Sequence, residues 1–157
     1  MIGVEEAKRI MMEHVRPLPF TPLVLDLAQD HHLAADVKSL APHPMFDMSA
    51  VDGWALCGEG PEWTPVAEIA AGQTMHGTLR SDQCARIFTG AQVPMGTERV
   101  LMQEHAVRAA SMIQCRNGIP PLGANIRRKG EQFTEGELIA RTGERLDPPT
   151  KIGRAHV

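Results

Sequence analysis

Between residues 54 and 140, short apolar runs alternate with glycine and proline. These runs are PVAEIAAG, CARIFTG, RVLMQE, SMIQCR and GELIA. Strand-like runs at such short intervals, with few helical windows between them, are typical of a small β-barrel or sandwich. The pattern therefore predicts a β-rich unit over most of the chain.

The first forty residues carry a different pattern. Residues 4–15, VEEAKRIMMEHV, place apolar residues at three- and four-residue spacing, which indicates an amphipathic helix that the prolines of residues 17–22 end. The next stretch, PLVLDLAQDHHLAADV, predicts a short strand, a helical turn and a second strand at about Asp36–Leu40. We therefore expect an α+β, mostly β chain, with a boundary near Val37–Pro42 and a β-rich unit that ends near Gly136.

Charge and cysteine usage exclude several classes of protein. The net charge of −3 leaves no excess of positive charge to follow a phosphate backbone, so nucleic-acid binding is not expected. No uncharged apolar run approaches the length of about 18 residues that spans a membrane, so no membrane association is expected. Cys57, Cys84 and Cys115 form no CxxC pair, and an odd count without a signal peptide predicts reduced thiols in the cytoplasm.

The stretch FDMSAVDGWAL, residues 46–56, has two local interpretations. The first is a turn in which Asp47 and Asp52 bond to nearby backbone and Gly53 supplies a permissive dihedral, before a strand begins at Trp54. The second is a carboxylate held on a rigid turn and directed at a cation or polar ligand. Asp-Gly is mainly a turn signal, so local evidence favours the first. An EF-hand loop is excluded because its glycine and glutamate positions do not match.

The stretch ARIFTGAQVPMGTERVLMQE, residues 85–104, reads as two strands around a loop. Local evidence favours an ordinary hairpin, although Thr89 and the amides after it could meet an anion. Gly90 and Gly96 make neither a Walker loop nor a dinucleotide-binding fingerprint. The histidines show no zinc-ligand spacing, and no GxSxG nucleophile elbow is present.

The stretch GANIRRKGEQF, residues 123–133, places three basic residues between glycines. A basic triplet is most often a solvated loop. The flanking glycines suggest a shaped loop, and arginine can bind phosphate in a bidentate manner, so recognition of one or two phosphate groups is the functional alternative.

Together, in this order, the three stretches resemble the MoeA family, which includes the E domain of gephyrin. PMFDMSAVDGWAL resembles the family signature P-x-F-D-N-S-A-M-D-G-Y-A-V, and ARIFTGAQVPMGTERVLMQE resembles R-I-M-T-G-A-x-x-P-x-G-A-D-A-V-V-M-Q-E. GANIRRKGEQFTEGELIARTGERL resembles G-x-N-I-R-R-x-G-E-D followed by spaced glycines. The resemblance covers nearly all of residues 4–151.

The resemblance implies a function, molybdopterin molybdenumtransferase. Such an enzyme inserts molybdate into adenylylated molybdopterin with release of AMP, assisted by Mg²⁺, and so completes the molybdenum cofactor. It implies a homodimer that also works with the molybdopterin-adenylylating protein of the same pathway. Neither nucleic acid nor membrane is an implied partner.

The resemblance also implies a division of the chain. Residues 1–19 would form a helix that packs on a later catalytic domain, residues 20–38 and 137–151 a linker domain, and residues 39–136 an inserted, barrel-like β-rich domain. The resemblance implies that the family's α/β catalytic domain is missing from this sequence, so we expect an N-terminal fragment that is inactive alone. Residues 152–157, IGRAHV, match the translation of a common sequencing adapter, and we expect them to be an adapter-derived tail.

Site residues follow by matching motif positions. The functional aspartate of the first signature falls on Asp52, and the threonine of M-T-G-A falls on Thr89, so the resemblance implies catalytic roles for both. Asp52 would contact Mg²⁺ or molybdate. Arg127 and Arg128 match the basic loop and imply substrate binding, while Asp47 is expected to shape its own turn.

Two positions depart from the family pattern. Met48 stands where the family has asparagine, and Gln132 stands where it has aspartate. An amide cannot carry a carboxylate's charge to a cation. These departures keep open an alternative in which the chain is a non-catalytic binding or scaffolding module, or an inactive paralogue.

Overall fold

A computed structural model describes residues 2–16 and 18–147. The expected tail at residues 152–157 lies outside the described residues. The chain divides into two compact units: one contains the described residues up to Asp36 together with those from Ala140 onward, and the other runs from Val37 to Ile139. The finer division of the first unit into a packing helix and a linker domain stays a prediction.

The first unit begins with the predicted helix, α1 (Val4–His14). Glu5 and Glu6 lie in its first turn, where negative charge favours the helix dipole, and none of its residues is buried. A 3₁₀ turn, Leu25–Leu27, matches the predicted helical turn. The short strand predicted before that turn is wrong, since no strand precedes Val37 among the described residues. Leu23, Val24 and Leu27 are exposed there and have no strand to pair with.

The strands confirm the expectation of a mostly β chain. They are β1 (Val37–Lys38), β2 (Met48–Ser49), β3 (Gly53–Leu56), β4 (Glu62–Ile69), β5 (Gln83–Ile87), β6 (Arg99–Met102), β7 (Ala106–Ala109), β8 (Met112–Cys115), β9 (Ile126–Arg127) and β10 (Leu138–Ala140). Each of the five predicted apolar runs overlaps a strand. Strand β7 was missed because its sequence, AVRA, offers little apolar contrast and directly follows a 3₁₀ turn at residues 103–105.

Six strands form the main sheet of the second unit, in the order β6-β3-β5-β4-β8-β7, and this sheet curls into a half barrel. Strands β4 and β5 are parallel, and the other neighbours are antiparallel. The expected hairpin between β5 and β6 is wrong, because β3 pairs with both and lies between them. The spacing of apolar residues within residues 85–104 predicts two strands, but it does not predict that a strand from another part of the chain lies between them.

The sheet has a buried cluster on each face. One cluster comprises Ala55, Ile69, Leu79, Ala85, Ile87, Ala91 and Val100, and the other comprises Leu56, Trp63, Cys84, Leu101 and Ile113. Because successive side chains of a strand point to opposite faces, Ala55 and Leu56 anchor β3 on both sides. Both are fully buried. The residue immediately before β3 is therefore attached to a rigid element.

No helix within residues 2–16 and 18–147 has the length and apolar character needed to cross a bilayer.

Candidate functional site

The three stretches singled out in the sequence meet around residues 47–52. Ser49 N–H donates to the carbonyl of Ala91 (2.9 Å), and Gly90 N–H donates to the carbonyl of Ser49 (2.9 Å). On the other side, Ala50 N–H donates to the carbonyl of Asn125 (2.9 Å). The segment before β3 thus lies between the turn after β5 and the loop that contains β9.

Asp52 and Thr89 are brought into direct contact. Asp52 immediately precedes β3 and Thr89 follows β5, and the antiparallel pairing of Gly53 with Ile87 places these two strand ends side by side. One oxygen of Asp52, Oδ1, accepts hydrogen bonds from both the backbone N–H and the Oγ1 hydroxyl of Thr89, each at 2.8 Å. These were the two catalytic candidates, and the fold places them in direct hydrogen-bond contact.

The environment of Asp52 favours its ionised form. The backbone N–H and then the hydroxyl of Thr89 lower the pKa of the Asp52 carboxyl below its ordinary value, burial opposes them, and the charge of Arg86 adds a lesser lowering effect. Asp52 Oδ2 accepts no hydrogen bond from the described residues, so one carboxylate oxygen remains for a ligand.

Two residues around Asp52 were missed by sequence reasoning. The backbone N–H of Gln103 donates to the carbonyl of Asp52 (3.0 Å), and the guanidinium of Arg86 bonds to the side chain of Gln103 (2.7 Å). The available signal was an arginine inside the apolar run CARIF, since a charge within a strand needs partners.

The expectation that the Asp47 side chain shapes its own turn is wrong, because this side chain bonds to the basic loop. Its Oδ1 accepts from the backbone N–H of Lys129 (2.8 Å), and its Oδ2 accepts from Arg128 Nη1 (2.6 Å). Burial raises the pKa of the Asp47 carboxyl, but the Lys129 N–H and the Arg128 guanidinium outweigh burial and hold the pKa below its usual value. Asp47 therefore anchors the basic loop to the segment that leads to Asp52.

The two arginines of the basic loop have different surroundings. Arg128 forms an ion pair with Asp47, and its backbone N–H donates to Glu131 Oε2 (2.9 Å). Arg127 lies opposite Met48 in the β2–β9 pair and is exposed. Neither arginine hydrogen-bonds to Asp52 or Thr89 in the part of the chain that the structure describes.

The structure describes no cluster of three or more histidine, cysteine, aspartate or glutamate side chains that could hold a metal ion. The double hydrogen bond of Asp52 also has a counterpart in the first unit. Asp36 Oδ1 accepts from the backbone N–H (2.8 Å) and the hydroxyl (2.9 Å) of Thr142. The geometry alone therefore does not mark a functional site, and the position of Asp52 among the three stretches distinguishes it.

Comparison with known proteins supports the resemblance noted in the sequence. The family model "MoeA N-terminal region (domain I and II)" matches residues 2–156. A molybdopterin molybdenumtransferase of Staphylococcus epidermidis is 31% identical over 156 residues, which is 93% of this chain and 37% of that protein. Molybdopterin molybdenumtransferase 2 of Mycobacterium tuberculosis is 32% identical over 157 residues, which is 94% of this chain and 38% of that protein.

A solved structure agrees. The molybdopterin biosynthesis MoeA protein of Pyrococcus horikoshii OT3 superposes with a TM-score of 0.85 at 26% identity, over 97% of this chain and 42% of that one. The chain thus spans less than two fifths of the length of the two curated relatives above. By the family model and by these relatives, the chain belongs to the MoeA family and corresponds to its N-terminal region.

Proposed function

We propose that this chain supplies the Asp52–Thr89 part of a molybdopterin molybdenumtransferase active site, in which molybdate is inserted into adenylylated molybdopterin and AMP is released. The observation that carries the proposal is that the three family stretches meet around residues 47–52, where the Asp52 carboxylate keeps one oxygen available. The names of the relatives supply the reaction class. The remainder of the site would come from residues beyond the aligned region.

Asp52 would act through Oδ2. Thr89 holds Oδ1, so the carboxylate has a fixed direction and one oxygen for a cation or for water. A single carboxylate fits Mg²⁺, which commonly takes one or two carboxylates and completes its shell with water and substrate phosphate oxygens. When bound, Mg²⁺ would neutralise negative charge on the phosphate and molybdate substrates.

Thr89 would act as a support for Asp52 and not as an oxyanion donor. A threonine has one hydroxyl proton and one backbone proton, and both are donated to Asp52 Oδ1. An approaching oxyanion would have to displace one of these bonds. The role of Thr89 is therefore to keep the carboxylate ionised and oriented.

Arg127 is the better placed of the two loop arginines for a substrate phosphate. Its side chain is exposed, and no ion pair within the described residues occupies it. Arg128 would serve mainly to hold the loop against Asp47. We further propose that the active protein is a cytoplasmic homodimer that receives its substrate from a molybdopterin-adenylylating protein.

Complementation by a chimaera tests the proposal. This chain would replace the matching region of the Staphylococcus epidermidis relative, in a strain that lacks its own molybdenumtransferase, with molybdoenzyme activity as the readout. We expect the chimaera to rescue activity, Asp52→Asn to abolish rescue, and Asp36→Asn to retain it. Asp36→Asn is the matched control, because it removes the same charge from the same hydrogen-bond arrangement elsewhere.

The outcomes separate the candidate functions. Rescue by Asp52→Asn at the level of the unmodified chimaera would refute the role of Asp52. A folded chimaera that never rescues would instead support the alternative of a non-catalytic module or an inactive paralogue, for which Met48 and Gln132 are the motivating positions.

A further inference from the structure

We propose that Arg86 is the positioning residue of the site, because its guanidinium joins the two backbone segments that hold Asp52. The inference deepens the proposed function and rests on it for its kinetic readout. Its structural readout is independent of activity. Arg86 makes no hydrogen bond to Asp52 or Thr89, so it positions them through other residues.

Arg86 hydrogen-bonds to Gly53 and to Gln103, the two residues that are joined directly to the Asp52 carbonyl. Nη1 donates to the carbonyl of Gly53 (2.8 Å), the residue that follows Asp52. Nη2 donates to Oε1 of Gln103 (2.7 Å), and the backbone N–H of Gln103 donates to the carbonyl of Asp52 (3.0 Å). One planar group is therefore bonded directly to the Gly53 carbonyl and, through Gln103, to the Asp52 carbonyl. Thr89, three residues beyond Arg86, fixes the side chain.

Two aromatic rings hold the guanidinium. Its central carbon lies 4.6 Å from the ring centroid of Phe88 and 5.7 Å from that of Trp54, both within the range of cation–π contact. Trp54 is directly opposite Arg86 in the β3–β5 pair, and Phe88, two residues after Arg86, directly follows the end of β5. Lysine would keep the charge but would lose the rigid two-armed donor geometry.

The segment that Arg86 holds has no spare room. A Cβ added to Gly53 would lie 1.9 Å from the carbonyl oxygen of Leu101, so β3 and β6 approach closely at the very residue whose carbonyl Arg86 binds. The two hydrogen-bond acceptors of Arg86 are uncharged, and no ion pair with it is present among the described residues. A partly buried arginine needs polar partners, and those of Arg86 are a backbone carbonyl and a side-chain amide on the two segments that lie next to Asp52.

The first test is amide hydrogen exchange in the 157-residue chain. With Arg86→Met, we expect exchange at the Thr89 and Gln103 amides to accelerate about tenfold or more, while Ala85 and Val100 stay within about twofold. Arg86→Lys should show most of the same acceleration. Arg108→Met, on strand β7, is the matched control that removes an arginine without touching the site.

A second variant covers the case in which Arg86→Met does not fold. Gln103→Ala changes an exposed side chain, keeps the backbone N–H that bonds to Asp52, and removes one acceptor of Arg86. We expect a smaller acceleration at the same two amides. Unchanged exchange at Thr89 in a folded variant of Arg86, or in Gln103→Ala when no Arg86 variant folds, would overturn the inference.

The second test is kinetic, in the chimaera described above. Loss of orientation predicts that Arg86→Lys lowers kcat by about tenfold or more with KM for adenylylated molybdopterin nearly unchanged. A rise in KM at constant kcat would overturn the positioning role in favour of substrate contact. If the unmodified chimaera is inactive, the proposed function fails, and the exchange measurement alone decides the role of Arg86.

Discussion

Thr89 gives both of its polar hydrogens to a single oxygen of Asp52, at 2.8 Å from the backbone nitrogen and 2.8 Å from the hydroxyl. Charge-assisted bonds of this kind are stronger than bonds between neutral groups. They fix the carboxylate on the turn that precedes β3 and leave its second oxygen to other partners. The pair thus acts as one carboxylate of fixed direction.

Substitution of Thr89 tests this division of labour. Thr89→Ser keeps both donors, so the chimaera should retain near-complete activity. Thr89→Val keeps only the backbone donor, and loss of one bond to a charged group should lower activity by between about tenfold and a hundredfold. Thermal unfolding should change little, because Thr89 is exposed. Thr142→Val is the matched control, and an equal loss of activity there would show that the effect is not specific to Asp52.

The Asp47 carboxylate should make stability depend on pH in the acid range. Its folded pKa is lowered, so its contribution is complete above the unfolded pKa of about 4 and is lost as the pH falls through the folded value. Asp47→Asn should therefore be less stable than the unmodified chain at pH 7, and the difference should shrink below about pH 4. Urea unfolding at both pH values measures it.

Asp30→Asn is the control for that measurement. Asp30 forms an ion pair with Arg145 in which both side chains are more than half exposed, so its removal should change stability little at either pH. A difference for Asp47→Asn that stays constant or grows on acidification would contradict the assignment.

The sequence predicted features that depend on neighbouring residues, and it missed features that depend on residues far apart in the chain. Helix α1 and strands β5, β6 and β8 were predictable because periodicity and apolar runs are local signals. The hairpin was wrong because β3 comes from elsewhere in the chain. The ion pair between Asp47 and Arg128 joins residues 81 apart, and no local rule selects such a partner. The proximity of Asp52 and Thr89 required the family motifs, and Arg86 required the cross-strand register.

Gly53 should tolerate no side chain. Its hypothetical Cβ lies 1.9 Å from a backbone oxygen that belongs to a paired strand and cannot rotate away. Gly53→Ala should therefore destabilise the chain by about 3 kcal/mol, at the upper end of overpacking effects. The measurement is chemical denaturation, and Gly3→Ala is the matched control, because nothing lies within 4 Å of a Cβ at that position. Equal midpoints for the two variants would show that β3 and β6 do not approach as closely as described.

Cys84 should make the chain less stable in alkali. Its side chain is fully buried in β5, and burial raises the pKa of the thiol from 9.0 to about 12. Above pH 9 the unfolded chain therefore releases this proton while the folded chain retains it, so the free energy of unfolding falls as the pH rises. Cys84→Ala lacks the titrating group and should lose less stability between pH 8 and pH 10.5, even though its starting value is lower by the cost of a small cavity. Urea unfolding across this range measures both slopes, and parallel slopes would contradict a buried, protonated Cys84.

Alkylation gives an independent check of the burial of Cys84, because the thiolate is the reactive form. Iodoacetamide at pH 9 should label Cys84 only after the chain is unfolded.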